Sequence, residues 1–186
     1  MNNYRDVRYG LFGAGYVSYM TFVIALLRGA SLPGWVPDLF WLVLGTSSAV
    51  FIAPWGRVIA RMRGGNGKAA VSGVVLLGTL PILLAPGPAS ALISAVIFGS
   101  AFMAGPAAVT AITRHVLAPA AWTAGIAVMT TGFALGQAAG PLVSGLLSDG
   151  SGGLKAGLWL SPILLAAAAA VSLMQAHHPH HSAVSR

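Results

Sequence analysis

Between Tyr9 and Gln175 the chain writes six long apolar runs, and every charged residue falls at an edge between them. The runs are Tyr9–Leu27, Leu39–Gly56, Ala69–Ala85, Ala89–Thr113, Ala120–Ser148 and Ala156–Gln175, and none contains Asp, Glu, Lys, Arg or His. A helix needs about 20 mostly apolar residues to cross a ~30 Å hydrocarbon core. Inside lipid every backbone polar group must be satisfied within the segment or by packed protein, so each run predicts a spanning helix. The pattern as a whole predicts an all-α membrane protein of six transmembrane helices over residues 1–176. The polar segment 177–186, with His177, His178, His180 and His181, is expected to be a disordered cytoplasmic tail.

The loops between runs are short: Gly29–Pro37, Arg57–Lys68, Pro86-Gly87-Pro88, Arg114–Pro119 and Asp149–Lys155. Pro86-Gly87-Pro88 is a turn that no helix crosses unbroken. None of the loops has room for a soluble catalytic domain.

Composition agrees with the pattern. Hydrophobic residues make up 56% and charged residues 7%, against roughly 45–50% and 25% in soluble domains. The net charge of +7 does not point to nucleic acid, because the cations are scattered through short loops. With the N-terminus inside, Arg5, Arg8, Arg57, Arg61, Arg63, Lys68, Arg114 and Arg186 are cytoplasmic, and Arg28 and Lys155 are outside. That asymmetry follows the positive-inside rule and puts both termini in the cytoplasm, with the chain as a multi-pass protein of the cell inner (plasma) membrane. Trp35, Trp41, Trp55, Trp122 and Trp159 fall near run edges, the depth that indole favours. The absence of cysteine excludes disulfides, thiolate catalysis and Cys-based metal sites. The first run is long for a signal peptide, lacks a small-x-small cleavage site, and is expected to be retained.

A weak internal repeat runs at an offset of 86 to 87 residues. Phe12-Gly13-Ala14-Gly15-Tyr16 lines up with Phe98-Gly99-Ser100-Ala101-Phe102, and Gly45 and Pro54 line up with Gly132 and Pro141. Two copies, 9–85 and 89–175, hold an odd number of spans each, so they would be inverted relative to one another. Inverted repeats of three helices build many secondary transporters. Chance matching of glycine-rich apolar helices is the other explanation.

Span 5 carries the densest pattern. Gly132, Gly136 and Gly140 recur every fourth residue and let another helix backbone approach. Pro141 removes a hydrogen bond and can bend the helix. Gln137 is the most polar side chain at mid-depth, and must find partners either as interhelical glue or at a wet cavity. Tyr16 and Tyr19 are one turn apart on a shared face. Gly105-Pro106 in span 4 is a kink, static or hinging.

Residues 132–149, with their G-x-x-x-G-Q-x-x-G-P pattern and Ser-Asp end, resemble span 11 of the major facilitator superfamily. Gly56–Gly64 resembles that superfamily's loop signature G-x-x-x-D-R-x-G-R, Phe98–Gly105 its span 10, and Tyr9–Tyr16 its span 7. Together they are most similar to the YbfB/YjiJ-type branch, from about Arg5 to Ala176. Ala60 stands where the loop signature has Asp, and Arg63 where it has its second Gly. In the family that Asp belongs to a charge network that latches the cytoplasmic side.

The resemblance implies the C-terminal six-helix half of a twelve-helix carrier. It would make spans 1 and 4 line the substrate cavity, spans 2 and 5 meet the other half, and spans 3 and 6 face lipid. Substrate-contact candidates are then Tyr16, Tyr19, Phe102, Met103 and Gln137, the phenols and amide suiting a small polar or aromatic solute. Packing and gating candidates are Gly132, Gly136, Gly140, Pro141, Arg57, Arg61 and Arg63. The expected partners are a small-molecule substrate, the lipid bilayer, and a second six-helix half or a second copy of the chain, with no nucleic acid.

No cofactor or metal is expected, the His-rich tail lacking a rigid frame. No carboxylate lies within a span: Asp6, Asp38 and Asp149 all sit at edges. A proton-coupled carrier needs a titratable group at membrane depth, which this half does not supply. The expected function is transport of a small solute by alternating access. The alternative is a non-transporting membrane interaction protein or a truncated remnant. An enzyme is not expected, because every His lies at a border or in the tail, out of depth with Gly45-Thr46-Ser47-Ser48.

Overall fold

The computed structural model describes residues 3–62, 66–107 and 118–174. Arg63, Arg114, His115 and the His-rich tail lie outside the described residues. The described chain forms α1 (Asn3–Gly29), α2 (Trp35–Arg61), α3 (Asn66–Leu84), α4 (Pro88–Phe102), a 3-10 turn (Pro119–Ala121), α5 (Trp122–Ser148) and α6 (Gly153–Met174), with no strand among them. Each helix is long and apolar enough to cross a membrane, the fourth span continuing to Ala107.

The helices extend beyond the apolar runs, so charged edge residues become parts of helix ends. Arg8 lies in α1, Asp38 and Arg61 in α2, Lys68 in α3. Asp38 stands in the first turn of α2 and Arg61 in its last, each placed to oppose the end charge of the helix dipole. The fourth span departs from the expected run. Regular α-helix ends at Phe102, Met103 forms a turn, and helical geometry resumes over 104–107. Pro106 accounts for this, because it has no N–H to donate to the Phe102 carbonyl and its ring crowds that carbonyl. Pro54, Pro81, Pro141 and Pro162 lie within helices without ending them.

The packing divides the six helices into two trios. α1 packs against α5 and α6, α4 packs against α2 and α3, and α3 meets α6 across the seam. Exchanging α1 with α4, α2 with α5 and α3 with α6 reproduces these pairings, which is the arrangement an inverted three-helix repeat produces. Individual contacts follow the same exchange. A Cβ on Gly13 would lie 2.7 Å from the Phe133 carbonyl and 3.0 Å from its ring, and one on Gly99 would lie 2.6 Å from the Leu44 carbonyl and 3.1 Å from Ser47 Cβ. The offset of 86 that carries Gly13 onto Gly99 also carries Ser47 onto Phe133. The symmetry is incomplete, since α5 packs broadly on α6 while α2 barely touches α3.

Hydrophobic burial cannot hold helices together in lipid, which is as apolar as leucine, so close packing and interhelical hydrogen bonds carry the association. Four serine hydroxyls do so here by donating to a glycine carbonyl on a neighbouring helix. Ser48 bonds Gly99 at 2.8 Å, Ser94 bonds Gly78 at 2.5 Å, Ser144 bonds Gly157 at 2.5 Å and Ser161 bonds Gly15 at 2.6 Å. Each acceptor glycine lacks the side chain that would hold the donor helix away. The outer faces of α2 and α5 stay uncovered, with Leu42, Val50 and Phe51 on one and Leu135, Leu142 and Leu146 on the other exposed.

Candidate functional site

α1 and α5 cross almost backbone to backbone. A Cβ on Gly136 would overlap the Gly10 carbonyl, and one on Gly140 would overlap the Ala14 carbonyl. Gly132, half-buried, faces Gly10 at a looser distance. This approach brings Gln137, near the midpoint of α5, to Tyr16, near the midpoint of α1. The Gln137 side-chain amide donates to the Tyr16 hydroxyl. Pro141 lies four residues beyond Gln137 in the same helix and has no N–H, so it makes no helical hydrogen bond to the Gln137 carbonyl. One residue thus places a side-chain amide and a main-chain carbonyl released from the helix at the same depth.

Aromatic rings surround the pair. Tyr16 stacks on Phe133 at 5.8 Å between centroids and meets Phe12 at 5.6 Å and Phe102 at 6.0 Å. Phe102 stacks on Phe98 at 5.5 Å, and Phe98 meets Tyr19 at 4.6 Å. The rings form one continuous chain from α5 through α1 to α4. Separations of this size suit offset or tilted aromatic pairs.

The five substrate-contact candidates occupy different settings. Gln137 is half-buried, while Tyr16 and Phe102 are buried. Met103 is 48% exposed, in the turn where α4 breaks. Tyr19 has no exposed surface, and its hydroxyl is bonded to Ser94. Ser94 also reaches the Gly78 carbonyl, so the Tyr19–Ser94 link joins α1, α4 and α3. Of the loop candidates, Arg57 and Arg61 are exposed at the end of α2, and Arg63 lies outside the described residues.

Sequence reasoning missed Phe12, Phe98, Phe133 and Ser94 as members of this cluster. Phe12 and Phe98 were in view as repeat markers, and their offset was the available signal. It also missed a second locus at the end of the bundle where α1 and α3 begin. Arg8 and Lys68, expected in scattered loops, are instead both buried and stand over the Tyr9 ring. They converge on Tyr9 because the N-terminal parts of two helices far apart in sequence come together at this end. Among the described residues no group of His, Cys, Asp or Glu is placed to hold a metal ion.

Six spans in two exchanged trios, around a polar pair at mid-depth, define the class: a membrane transporter with half of a major facilitator fold. The chain belongs to the family described as "Uncharacterised MFS-type transporter YbfB", whose family model matches residues 4–173. No curated protein and no solved structure matches it. It is therefore a multi-pass membrane protein with the general role of a transporter, acting on small molecules in a lipid bilayer.

Proposed function

We propose that the chain moves a small, uncharged polar or aromatic solute by alternating access, as the C-terminal half of a secondary carrier. Both termini would be cytoplasmic and the membrane would be the cell inner membrane. The observation that carries this reading is the Tyr16–Gln137 pair, set among Phe12, Phe102 and Phe133 where α1, α4 and α5 meet. A phenol, an amide and a freed carbonyl offer hydrogen bonds without charge, and the rings offer faces for stacking. Met103 supplies an adaptable apolar contact at the broken end of α4. Tyr19, behind them, holds α1 to α4.

The uncovered helices support a partner. On α2, Gly45, Ala49, Ala53 and Gly56 are exposed along one face, and Gly45 and Gly56 have nothing near their missing side chains. On α5, Ala127, Thr131, Ala134 and Ala138 are exposed as well. Small residues of this kind admit close helix packing, here against a second six-helix half or a second copy of the chain. Gly136, Gly140 and Pro141 keep α5 against α1 while its other face meets that partner. Arg57, Arg61 and Arg63 would order the loop at the cytoplasmic end.

The test is uptake into proteoliposomes, using a panel of uncharged aromatic and amide solutes beside charged ones. Flux of an uncharged member, reduced roughly tenfold in Gln137→Leu, is the expected result. A second reading, a membrane interaction protein without transport, is favoured by Ala60 in the place of the loop Asp. Absence of flux for every solute, with the chain supplied alone and with a six-helix partner, would establish that second reading.

A further inference from the structure

We propose that the solute carries a planar amide, as a primary carboxamide or a lactam, which pairs with Tyr16 and Gln137 together. This rests on the pair meeting the solute, as the proposed transport requires. The Gln137 side chain spends one N–H on the Tyr16 hydroxyl. Neither side chain makes a further hydrogen bond. A side-chain amide has two N–H donors and an accepting oxygen, and a phenol can donate its own proton while it accepts another. The Gln137 Oε1 and the Tyr16 hydroxyl proton are therefore both unspent. Oε1 is not among the enclosed, unpartnered atoms of the bundle, so it is open to a group that approaches half-buried Gln137.

The layout of these groups selects an amide. The Tyr16 oxygen is bonded to the nitrogen of the same amide that bears Oε1, so the unspent donor and acceptor lie side by side, a few ångströms apart. An amide in the solute has that layout with the signs exchanged, its N–H facing Oε1 and its C=O facing the Tyr16 hydroxyl. Pro141 leaves the Gln137 main-chain carbonyl without the N–H four residues on, which suits the second N–H of a carboxamide.

Other small polar groups fit less well. An alcohol has its donor and acceptor on one oxygen and cannot face both positions squarely. A carboxylate has no donor, and its charge would meet no counter-charge, since residues 9–27 and 120–148 hold no Asp, Glu, Lys, Arg or His. The surroundings favour a flat body as well. The Tyr16 and Phe133 rings lie 15° from parallel at 5.8 Å, and an amide extends the plane of a ring attached to it.

The test is thermal unfolding of the full chain in phosphatidylcholine nanodiscs, titrated with benzamide, N,N-dimethylbenzamide, benzyl alcohol and benzoate. A ligand that binds the folded chain stabilises it in proportion to its concentration over its dissociation constant, which gives an apparent affinity. Benzamide should bind roughly tenfold more tightly than each of the other three. In Gln137→Leu its advantage over N,N-dimethylbenzamide should vanish, while Tyr16→Phe should weaken both amides together. Partition of a probe into lipid is the same for wild type and variants and cancels in that comparison. Equal binding of the two amides by wild type, an unchanged preference in Gln137→Leu, or no stabilisation by any probe would overturn the amide class. Should Gln137→Leu not fold, the ranking of the four probes by wild type decides alone. Failure of the transport reading is seen separately, as absence of flux in proteoliposomes from a chain that still prefers benzamide.

Discussion

The Gln137 amide donates to the Tyr16 hydroxyl, joining α5 to α1 near the midpoint of both. Hydrogen bonds between membrane helices average about 0.6 kcal/mol and reach about 1.7. Gln137→Leu and Tyr16→Phe should therefore unfold only slightly more easily than wild type in denaturant titrations. Solute uptake should fall more steeply, by roughly tenfold, if the pair also bonds the solute. Variants that lose stability and uptake in step would reduce the pair to interhelical glue.

The α1–α5 crossing makes a sharper prediction. Gly136→Val and Gly140→Val push a side chain into the carbonyls of Gly10 and Ala14, and overpacking of this kind costs about 1–3 kcal/mol. Gly45→Val meets nothing within 4 Å and should leave the isolated six-helix unit as stable as wild type. Co-purification with a second half or a second copy is where Gly45→Val should show its defect. A Gly45→Val chain that unfolds early by itself would contradict the open face of α2.

Ser94 serves two helices at once, through Tyr19 of α1 and the Gly78 carbonyl of α3. Ser94→Ala strands the Tyr19 hydroxyl in an apolar interior, a loss of about 1–3 kcal/mol. Tyr19→Phe in that background removes the stranded group. The double variant should be more stable than the sum of the two single losses, measured as a double-mutant cycle. Strict additivity would show that the two residues act independently.

The break in α4 depends on Pro106. Pro106→Ala supplies an N–H for the Phe102 carbonyl and should extend the regular helix past Met103. Expected are higher thermal stability and slower turnover. Gly105→Ala should act in the opposite direction on stability, because its Cβ would overlap the Phe12 ring. Faster turnover in Pro106→Ala would show that the break does not serve movement.

How far these features could be read in advance depended on the kind of signal each leaves. The spans were legible because hydrocarbon thickness imposes a length on every apolar run. The repeat was legible as paired glycines and prolines, and the structure gives it physical content in Gly13 against Phe133 and Gly99 against Ser47. The end of regular helix at Phe102 was only half legible, since Pro106 marks a kink but its effect falls four residues earlier. The ring chain through Phe12, Phe98 and Phe133 was hidden, because a phenylalanine in an apolar run looks the same whether it meets lipid or another ring. Arg8 and Lys68 were hidden for a different reason. Each obeys the edge rule locally, and their meeting at Tyr9 depends on which helix ends are neighbours.

The four serine-to-glycine fastenings have a consequence for the conditions under which the bundle keeps its shape. Each joins a hydroxyl to a carbonyl, and neither group gains or loses a proton near neutrality or carries a charge that dissolved ions can screen. The interior of the bundle should stay the same on the acidic and alkaline sides of an energised membrane, and in dilute or concentrated salt. Any sensitivity of this protein to acidity or ionic strength would then be confined to its ends and loops.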